Sequence, residues 1–206
     1  RSALAENTPD LLNAPHGGVL KELYLPKAQA EALKLHSATL PGWDLDARQL
    51  CDLELLLNGA FSPLEGFMSR SDYNSVRDDM RLADGTLWPI PIVLDVSDAF
   101  ASRLKLGDEI ALRDREGVPL AVLDIEDIYF VDPLLEAFEV YGTTDRLHPG
   151  VLELLDRRNR INLGGRLRGI QAPQHHDLRE LRDSPGSLRE RLGERGWERV
   201  VAFQTR

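Results

Sequence analysis

Residues 109–131 read EIALRDREGVPLAVLDIEDIYFV, and this stretch decides the fold class. We interpret Glu109–Arg113 as an alternating β-strand, since one face of its residues is polar and the other apolar. Asp114–Gly117 supplies turn residues, and Val118–Val131 then runs apolar as one or two further strands. The stretch therefore predicts a β-hairpin within a strand-rich domain.

Short helices and further strands are predicted on both sides of this hairpin. Proline at a first helical position, acidic or serine caps and a glycine stop mark the helix ends. The predicted elements are helices over Pro26–Ser37, from an Asp46 cap to Leu57 and from Ser69 or Ser71 to about Met80, a proline-containing edge strand over Trp88–Val96, and a tight strand pair or bulge over Asn162–Leu167. This pattern predicts a mixed α+β fold, with a small β-barrel and helical additions.

The pattern changes after residue 176. Ser184-Pro185 begins a helix that Gly196 ends, and Val200–Phe203 reads as a buried parallel strand. Helix, glycine and strand in this order are typical of an α/β domain. We therefore place a boundary near residues 171–177, which divides the chain into a domain over 1–176 and the first helix and strand of an α/β domain over 177–206.

Composition excludes several classes of protein. The formal net charge of −9 disfavours a nucleic-acid-binding protein, which needs a basic face. No apolar run of about 18 residues occurs, so we expect no membrane span. Arg1–Asp10 has no apolar signal core, so we expect a cytoplasmic protein. The single cysteine, Cys51, allows no internal disulfide, and neither it nor the adjacent pair His175-His176 suggests a metal site.

Three polar residues follow the predicted last strand and could form a binding site. The Arg206 guanidinium offers planar donors that match sulfate or phosphate, Gln204 adds an amide donor, and Thr205 adds a hydroxyl. Ligands of open α/β sheets bind in the crevice at the carboxyl ends of the strands. From the chemistry alone, the segment is either an anion site or merely a polar strand end.

Four segments, in order along the chain, resemble those of ATP sulfurylases (sulfate adenylyltransferases). They are Ala14–Gly18 (APHGG), Leu57–Met68 (LNGAFSPLEGFM), Tyr141–Gly150 (YGTTDRLHPG) and Val200–Arg206 (VVAFQTR). We interpret Leu57–Met68 as a turn-rich structural connector with Phe61 and Phe67 as buried anchors, and Thr143–His148 as a domain-packing segment. The resemblance extends over essentially the whole chain.

The resemblance implies a PUA-like β-barrel followed by an α/β nucleotidyltransferase domain. It also implies the conversion of ATP and sulfate to adenylyl sulfate and pyrophosphate. The family's site motif is Gln-x-Arg-Asn-Pro-x-His-x-x-His. Gln204 and Arg206 match its sulfate- and ATP-contacting positions, and Thr205 matches the threonine placed against the phosphates. The remaining residues of the motif would follow Arg206, so we expect this chain to be inactive by itself.

Several further expectations follow from the same resemblance. Mg²⁺ would accompany ATP as part of the substrate, and we expect no protein-bound metal. Relatives form oligomers, so a homo-oligomer is expected, and some relatives are fused to an adenylylsulfate kinase. The physiological direction of the reaction stays open. The alternative function is a non-catalytic PUA-like module that serves binding or assembly.

Overall fold

The computed structural model describes residues 12–203. Seven α-helices lie in this part of the chain: α1 Lys27–Ser37, α2 Ala47–Leu57, α3 Arg70–Asp79, α4 Asp98–Ala101, α5 Pro133–Tyr141, α6 Pro149–Asp156 and α7 Pro185–Glu194. A short 3-10 helix spans Arg179–Leu181. The six strands of this part of the chain are β1 Gly42–Asp44, β2 Gly66–Phe67, β3 Leu94–Val96, β4 Glu109–Arg113, β5 Pro119–Phe130 and β6 Ile161–Gly169.

The predicted hairpin is confirmed as β4 and β5, which pair antiparallel. Asp114 closes the turn, because its carboxylate accepts hydrogen bonds from the amides of Glu116 and Val118. Gly117 has a φ of +84°, a left-handed conformation that glycine adopts without strain. Val118–Val131 thus contributes one long strand, and the hairpin forms the centre of the sheet.

The six strands form one mixed sheet in the order β1-β4-β5-β6-β2, and β3 also pairs with β6. The predicted barrel is not confirmed, because in the described part of the chain no pairing joins β2 or β3 back to β1. The strands at the two edges are short, since β1 and β3 have three residues and β2 has two, so they offer few backbone groups for a closing pairing.

The predicted strand pair over Asn162–Leu167 is instead part of the single strand β6. The bulge lies in its partner β5, where the register shifts between Ile125 and Asp127. Gly164 and Gly165 are needed opposite this bulge, since a Cβ on Gly165 would lie 1.9 Å from the Asp124 carbonyl oxygen. The double glycine therefore marks a close approach of backbones and not a turn.

Helix ends largely follow the predicted caps. Asp46 and Gln49 form a capping box at α2, Ser69 caps α3, and Ser184 caps α7 with Pro185 at its first turn. Pro26 differs from the prediction by one position, because it occupies the N-cap of α1 and the helix begins at Lys27. The helices and the sheet enclose one large apolar core, and smaller clusters lie under α1 and between α5 and α6.

The predicted buried strand over Val200–Phe203 is not confirmed in the described residues. Val200, Val201 and Phe203 are 49%, 93% and 88% exposed, and the backbone has no strand assignment there. A strand needs a hydrogen-bonding neighbour, and no strand of the described sheet lies beside this segment. The preceding helix α7 is present as predicted.

Candidate functional site

Gln204, Thr205 and Arg206, the predicted site residues, lie outside the described residues. The structure shows the segment that leads to them, from the end of β6 through α7 to Phe203. We call the six-stranded sheet and the helices packed on it the sheet domain. The contacts that hold the segment against this domain determine where the predicted site would begin.

The first part of the segment is fixed to the sheet domain by three contacts. Gln171 donates from Nε2 to the Pro119 carbonyl oxygen at 2.9 Å, and Pro173 is buried. His175 Nε2 lies 2.8 Å from Glu54 Oε1 on α2. The chain therefore leaves β6 along a defined path over the surface of α2.

The helix α7 makes lighter contacts with the same domain. None of its residues is buried, although a Cβ on Gly186 would lie 3.7 Å from both Leu20 Cδ2 and Glu22 Oε1. Gly196 ends the helix with a φ of +65°, and the Arg195 guanidinium stacks 5.0 Å from the Trp197 ring centre. The helix is thus formed by its own caps and not by burial in the described core.

The apolar side chains of this segment face solvent. In addition to Val200–Phe203, Trp197 is 48% exposed and Leu188 is 46% exposed. The predicted anion-binding residues follow immediately after this exposed apolar stretch, and residues 157–203 contribute many arginines.

A buried charge cluster lies in the sheet domain and was not predicted from the sequence. Arg158 is at its centre: its Nη1 donates to Glu136 Oε1 at 3.1 Å, and its Nε lies 3.7 Å from Asp95 Oδ1. Arg48 Nη2 donates a hydrogen bond to Asp95 Oδ1, and the Asn159 backbone amide donates to the other oxygen of the same carboxylate at 2.8 Å. The cluster joins α2, α5, β3 and the start of β6.

Electrostatics explain why the Arg158 guanidinium stays charged although it is buried. Burial disfavours the Arg158 cation, but Glu136 and Asp95 outweigh it and hold the pKa of Arg158 above its ordinary value. Burial, and then the charge of Glu136, raise the pKa of Tyr73, so its hydroxyl remains a donor. Every acid of the cluster has a cationic or hydroxyl partner, so we interpret the cluster as a group of contacts that holds the elements of the fold together. The sequence signal was Glu136, an acid among apolar residues on α5.

Four of the five histidines make a contact that fits a structural role, His175 with Glu54 as described above and the other three as follows. His16 Nε2 lies 2.7 Å from the Leu87 carbonyl oxygen, and His36 Nε2 lies 2.6 Å from Glu109 Oε2. His148 caps α6. Within residues 12–203, no group of three or more His, Cys, Asp or Glu side chains is arranged to hold a metal ion. Likewise, none of the described helices is long and apolar enough to cross a membrane.

The motif segment Leu57–Met68 folds as the predicted structural connector. Ser62 holds its turn, since its Oγ donates to the Gly59 carbonyl oxygen at 2.6 Å and accepts from the Lys21 amide at 2.8 Å. Phe67 is buried, whereas Phe61 is only partly buried and packs edge-on against Trp88 at 5.7 Å between ring centres. This segment places β2 on β6.

The segment Thr143–His148 forms a local turn. Thr143 Oγ1 accepts from the Asp145 amide at 3.1 Å, and the Asp145 carboxylate accepts from the Leu147 amide at 2.9 Å. Its prediction as a domain-packing segment stays a prediction, because most of these side chains are exposed in the described chain.

A family comparison identifies the fold. A model described as "PUA-like domain" matches residues 13–172. The chain therefore belongs to the PUA-like domain family, with the open mixed sheet described above.

Comparison with individual relatives gives more specific information than the family model. The chain is 46% identical over 194 residues to a sulfate adenylyltransferase of Eremothecium gossypii, with 94% of this chain and 39% of that protein covered. It is 48% identical over 202 residues to one of Gibberella zeae, covering 95% of this chain and 35% of that protein. It is 46% identical over 196 residues to one of Saccharomyces cerevisiae, covering 94% and 38%. The resemblance to sulfate adenylyltransferases is thus confirmed.

A solved structure shares the fold. The structure described as "Hexameric APS kinase from Thiobacillus denitrificans" superposes with a TM-score of 0.75 and 36% identity, over 94% of this chain and 34% of that one. The chain spans 35–39% of the length of the three curated relatives.

Proposed function

We propose that this chain is part of a sulfate adenylyltransferase, which converts ATP and sulfate to adenylyl sulfate and pyrophosphate. The observation that carries the proposal is the 46–48% identity, over 94–95% of this chain, to proteins that bear this name. Identity at this level extends from the sheet domain through α7. The sheet domain is then a scaffold, and the proposed site begins where the segment 171–203 leads.

The three residues after Phe203 would open the site. A sulfate oxygen attacks the α-phosphorus in line and pyrophosphate leaves, so two anions that repel each other must be held together. Arg206 would offset this repulsion with its guanidinium and Gln204 would orient sulfate. Thr205 would hold an oxygen of the α-phosphate, where charge is redistributed in the transition state. Mg²⁺ would enter with ATP as part of the substrate.

The remaining groups of the site would come from residues after Arg206. The contacts of Gln171, Pro173 and His175 with the sheet domain would fix where residues 177–206 start a second, α/β domain. The exposed apolar side chains from Trp197 to Phe203 would be covered in that domain, and Val200–Phe203 would gain strand partners there. By itself, the chain would hold too little of the site to turn over.

Assembly is a further part of the proposal. A structural neighbour that covers 94% of this chain is described as hexameric and as an APS kinase. This favours a homo-oligomer and a polypeptide in which a kinase follows the sulfurylase. Sedimentation of the protein encoded by the complete gene would determine the oligomeric state. The sequence of the complete gene would show whether a kinase follows the sulfurylase.

Pyrophosphate release measured with ATP, Mg²⁺ and sulfate tests the proposed reaction. The protein encoded by the complete gene is expected to release pyrophosphate only when sulfate is present, and the 206-residue chain is expected to release none. Sulfate-independent hydrolysis of ATP by the complete protein would contradict the proposed reaction, and no reaction at all would favour the alternative of a non-catalytic binding or assembly module.

A further inference from the structure

The helix α5 exposes its large apolar side chains to solvent and buries a charged one. Its buried residues are Glu136 and Ala137, whereas Leu134, Leu135 and Phe138 are 57%, 40% and 58% exposed. A surface helix normally turns its large apolar side chains inward. Three large apolar side chains on the outer face of one short helix therefore need a reason.

Helix geometry places these three side chains together. Leu134 and Phe138 are four residues apart, and Leu135 and Phe138 are three apart, so all lie on one face. Together they form a single apolar ridge, which we call the α5 ridge (Leu134, Leu135 and Phe138). Such ridges fit into the grooves of a second helix.

The fold prevents the α5 ridge from turning inward. On the opposite side of the helix, Glu136 accepts a hydrogen bond from Tyr73 at 2.7 Å and pairs with Arg158 at 3.1 Å. Ala137 packs in a small cluster with Val151 and Leu154 of α6. Rotation of α5 would break this ion pair and empty this cluster, so the ridge is held towards solvent.

The charges around the ridge are acidic. Arg146 pairs with Asp156 at 2.6 Å and Arg157 with Glu153 at 2.9 Å, which uses both exposed arginines of the α5–α6 hairpin. Three other acids, Asp132, Glu139 and Asp145, are exposed and have no cationic partner among the ion pairs of the described chain. Arg160, exposed beside Val131 at the start of α5, is one cation that is likewise in no ion pair there, so the acids remain in excess. This surface therefore repels a second copy of itself and attracts a basic partner.

We propose that the α5 ridge docks an amphipathic helix of a separate polypeptide whose apolar stripe is bordered by lysine or arginine. The apolar stripe covers Leu134, Leu135 and Phe138, and its basic border faces Glu139. Helix-on-helix recognition of this kind reads apolar anchors at a spacing of three and four residues. The proposal does not depend on the proposed enzymatic reaction.

A pair of synthetic helical peptides tests this proposal. Both carry the same leucine stripe, and one has lysines and the other glutamates along its border. Fluorescence anisotropy with the 206-residue chain is expected to show micromolar binding of the lysine peptide and binding at least about tenfold weaker of the glutamate peptide. The double variant Leu134→Gln, Phe138→Gln is expected to weaken binding of the lysine peptide at least about tenfold.

Matched variants make the test specific. Leu106→Gln removes a 63% exposed leucine from a distant turn and is expected to leave peptide binding unchanged. Glu139→Lys is expected to weaken the binding of the lysine peptide and to strengthen the binding of the glutamate peptide. Circular dichroism must show that each variant is folded. Equal binding by the double variant, no preference for the lysine peptide, or a dimer of the chain that Phe138→Gln dissociates would overturn the proposal.

Discussion

The Tyr73 hydroxyl on α3 donates a 2.7 Å hydrogen bond to Glu136 Oε2 on α5. The other oxygen of Glu136 accepts from Arg158 at 3.1 Å. One buried carboxylate thus joins two helices to the loop that begins β6. Because each of these groups is removed from water, loss of one partner leaves the others without compensation.

Glu136→Gln is therefore expected to destabilise the fold by on the order of 3 kcal/mol, since it leaves the buried Arg158 cation with only Asp95, at 3.7 Å. Urea unfolding followed by circular dichroism measures this change. Glu139→Gln on the exposed side of the same helix is the control, and it is expected to change the free energy of unfolding by less than about 0.5 kcal/mol. Equal effects of the two variants would contradict the role of the cluster.

Stability should depend on pH through Glu109. The hydrogen bond from His36, and then the pairing with Arg168, hold the pKa of Glu109 below its ordinary value of 4.5, against the effect of partial burial. The folded state then binds this proton less readily than the unfolded state. The stability that Glu109 contributes is thus present above pH 4.5 and is lost as pH falls through the lowered value.

Urea unfolding at a series of pH values between roughly 6 and 3 measures this dependence. Glu109→Gln is expected to reduce the slope of unfolding free energy against pH in the acid range. Glu116→Gln, in an exposed turn, is the control and should leave the slope unchanged. A slope that is the same in both variants and the parent chain would show that Glu109 contributes nothing.

The capping box of α2 gives a prediction about local stability. Asp46 accepts from the Gln49 amide at 2.7 Å, and Gln49 Oε1 accepts from the Asp46 amide at 3.2 Å. Asp46→Ala leaves helix amides without a partner and is expected to cost about 1 kcal/mol in thermal or urea unfolding. Asp79→Ala, at an exposed position near the end of α3, should have a much smaller effect, and the reverse order would contradict the capping assignment.

Two glycine-to-alanine substitutions are expected to have opposite effects on stability. A Cβ on Gly66, in the motif segment, would lie 1.9 Å from the Gly165 carbonyl oxygen, so Gly66→Ala should separate β2 from β6. A Cβ on Gly193, in α7, meets nothing within 4 Å, so Gly193→Ala should raise helix stability by up to about 1 kcal/mol. Melting temperatures compare the two, and a harmless Gly66→Ala would refute the close approach.

The sequence predicted the elements that local chemistry defines. The turn at Asp114–Gly117, the Asp46 cap and the Ser184-Pro185 helix start depend on residues that are close in the chain, and all three are confirmed. Contacts between distant residues were not predictable from one sequence. Arg158 and Glu136 are 22 residues apart, and Gly165 reads as a turn residue until β5 is placed against it.

The strand predicted over Val200–Phe203 is not confirmed for a similar reason. An apolar run of this length predicts a buried strand only if a sheet is available to pair with it, and the described sheet offers none. The predicted site residues Gln204, Thr205 and Arg206 lie outside the described residues, so their assignment rests on the resemblance of the sequence motif alone.

Whether Arg206 opens the proposed sulfate and ATP site can be measured by substitution. Sulfate-dependent pyrophosphate release is measured for the protein encoded by the complete gene, with Arg206→Ala and, as a matched control, Arg199→Ala, an exposed arginine seven residues earlier. Arg206→Ala is expected to lower kcat/KM by at least about a hundredfold, because the cation that offsets anion repulsion is lost, while Arg199→Ala stays near the parent value. Equal activity of the two variants would contradict the account.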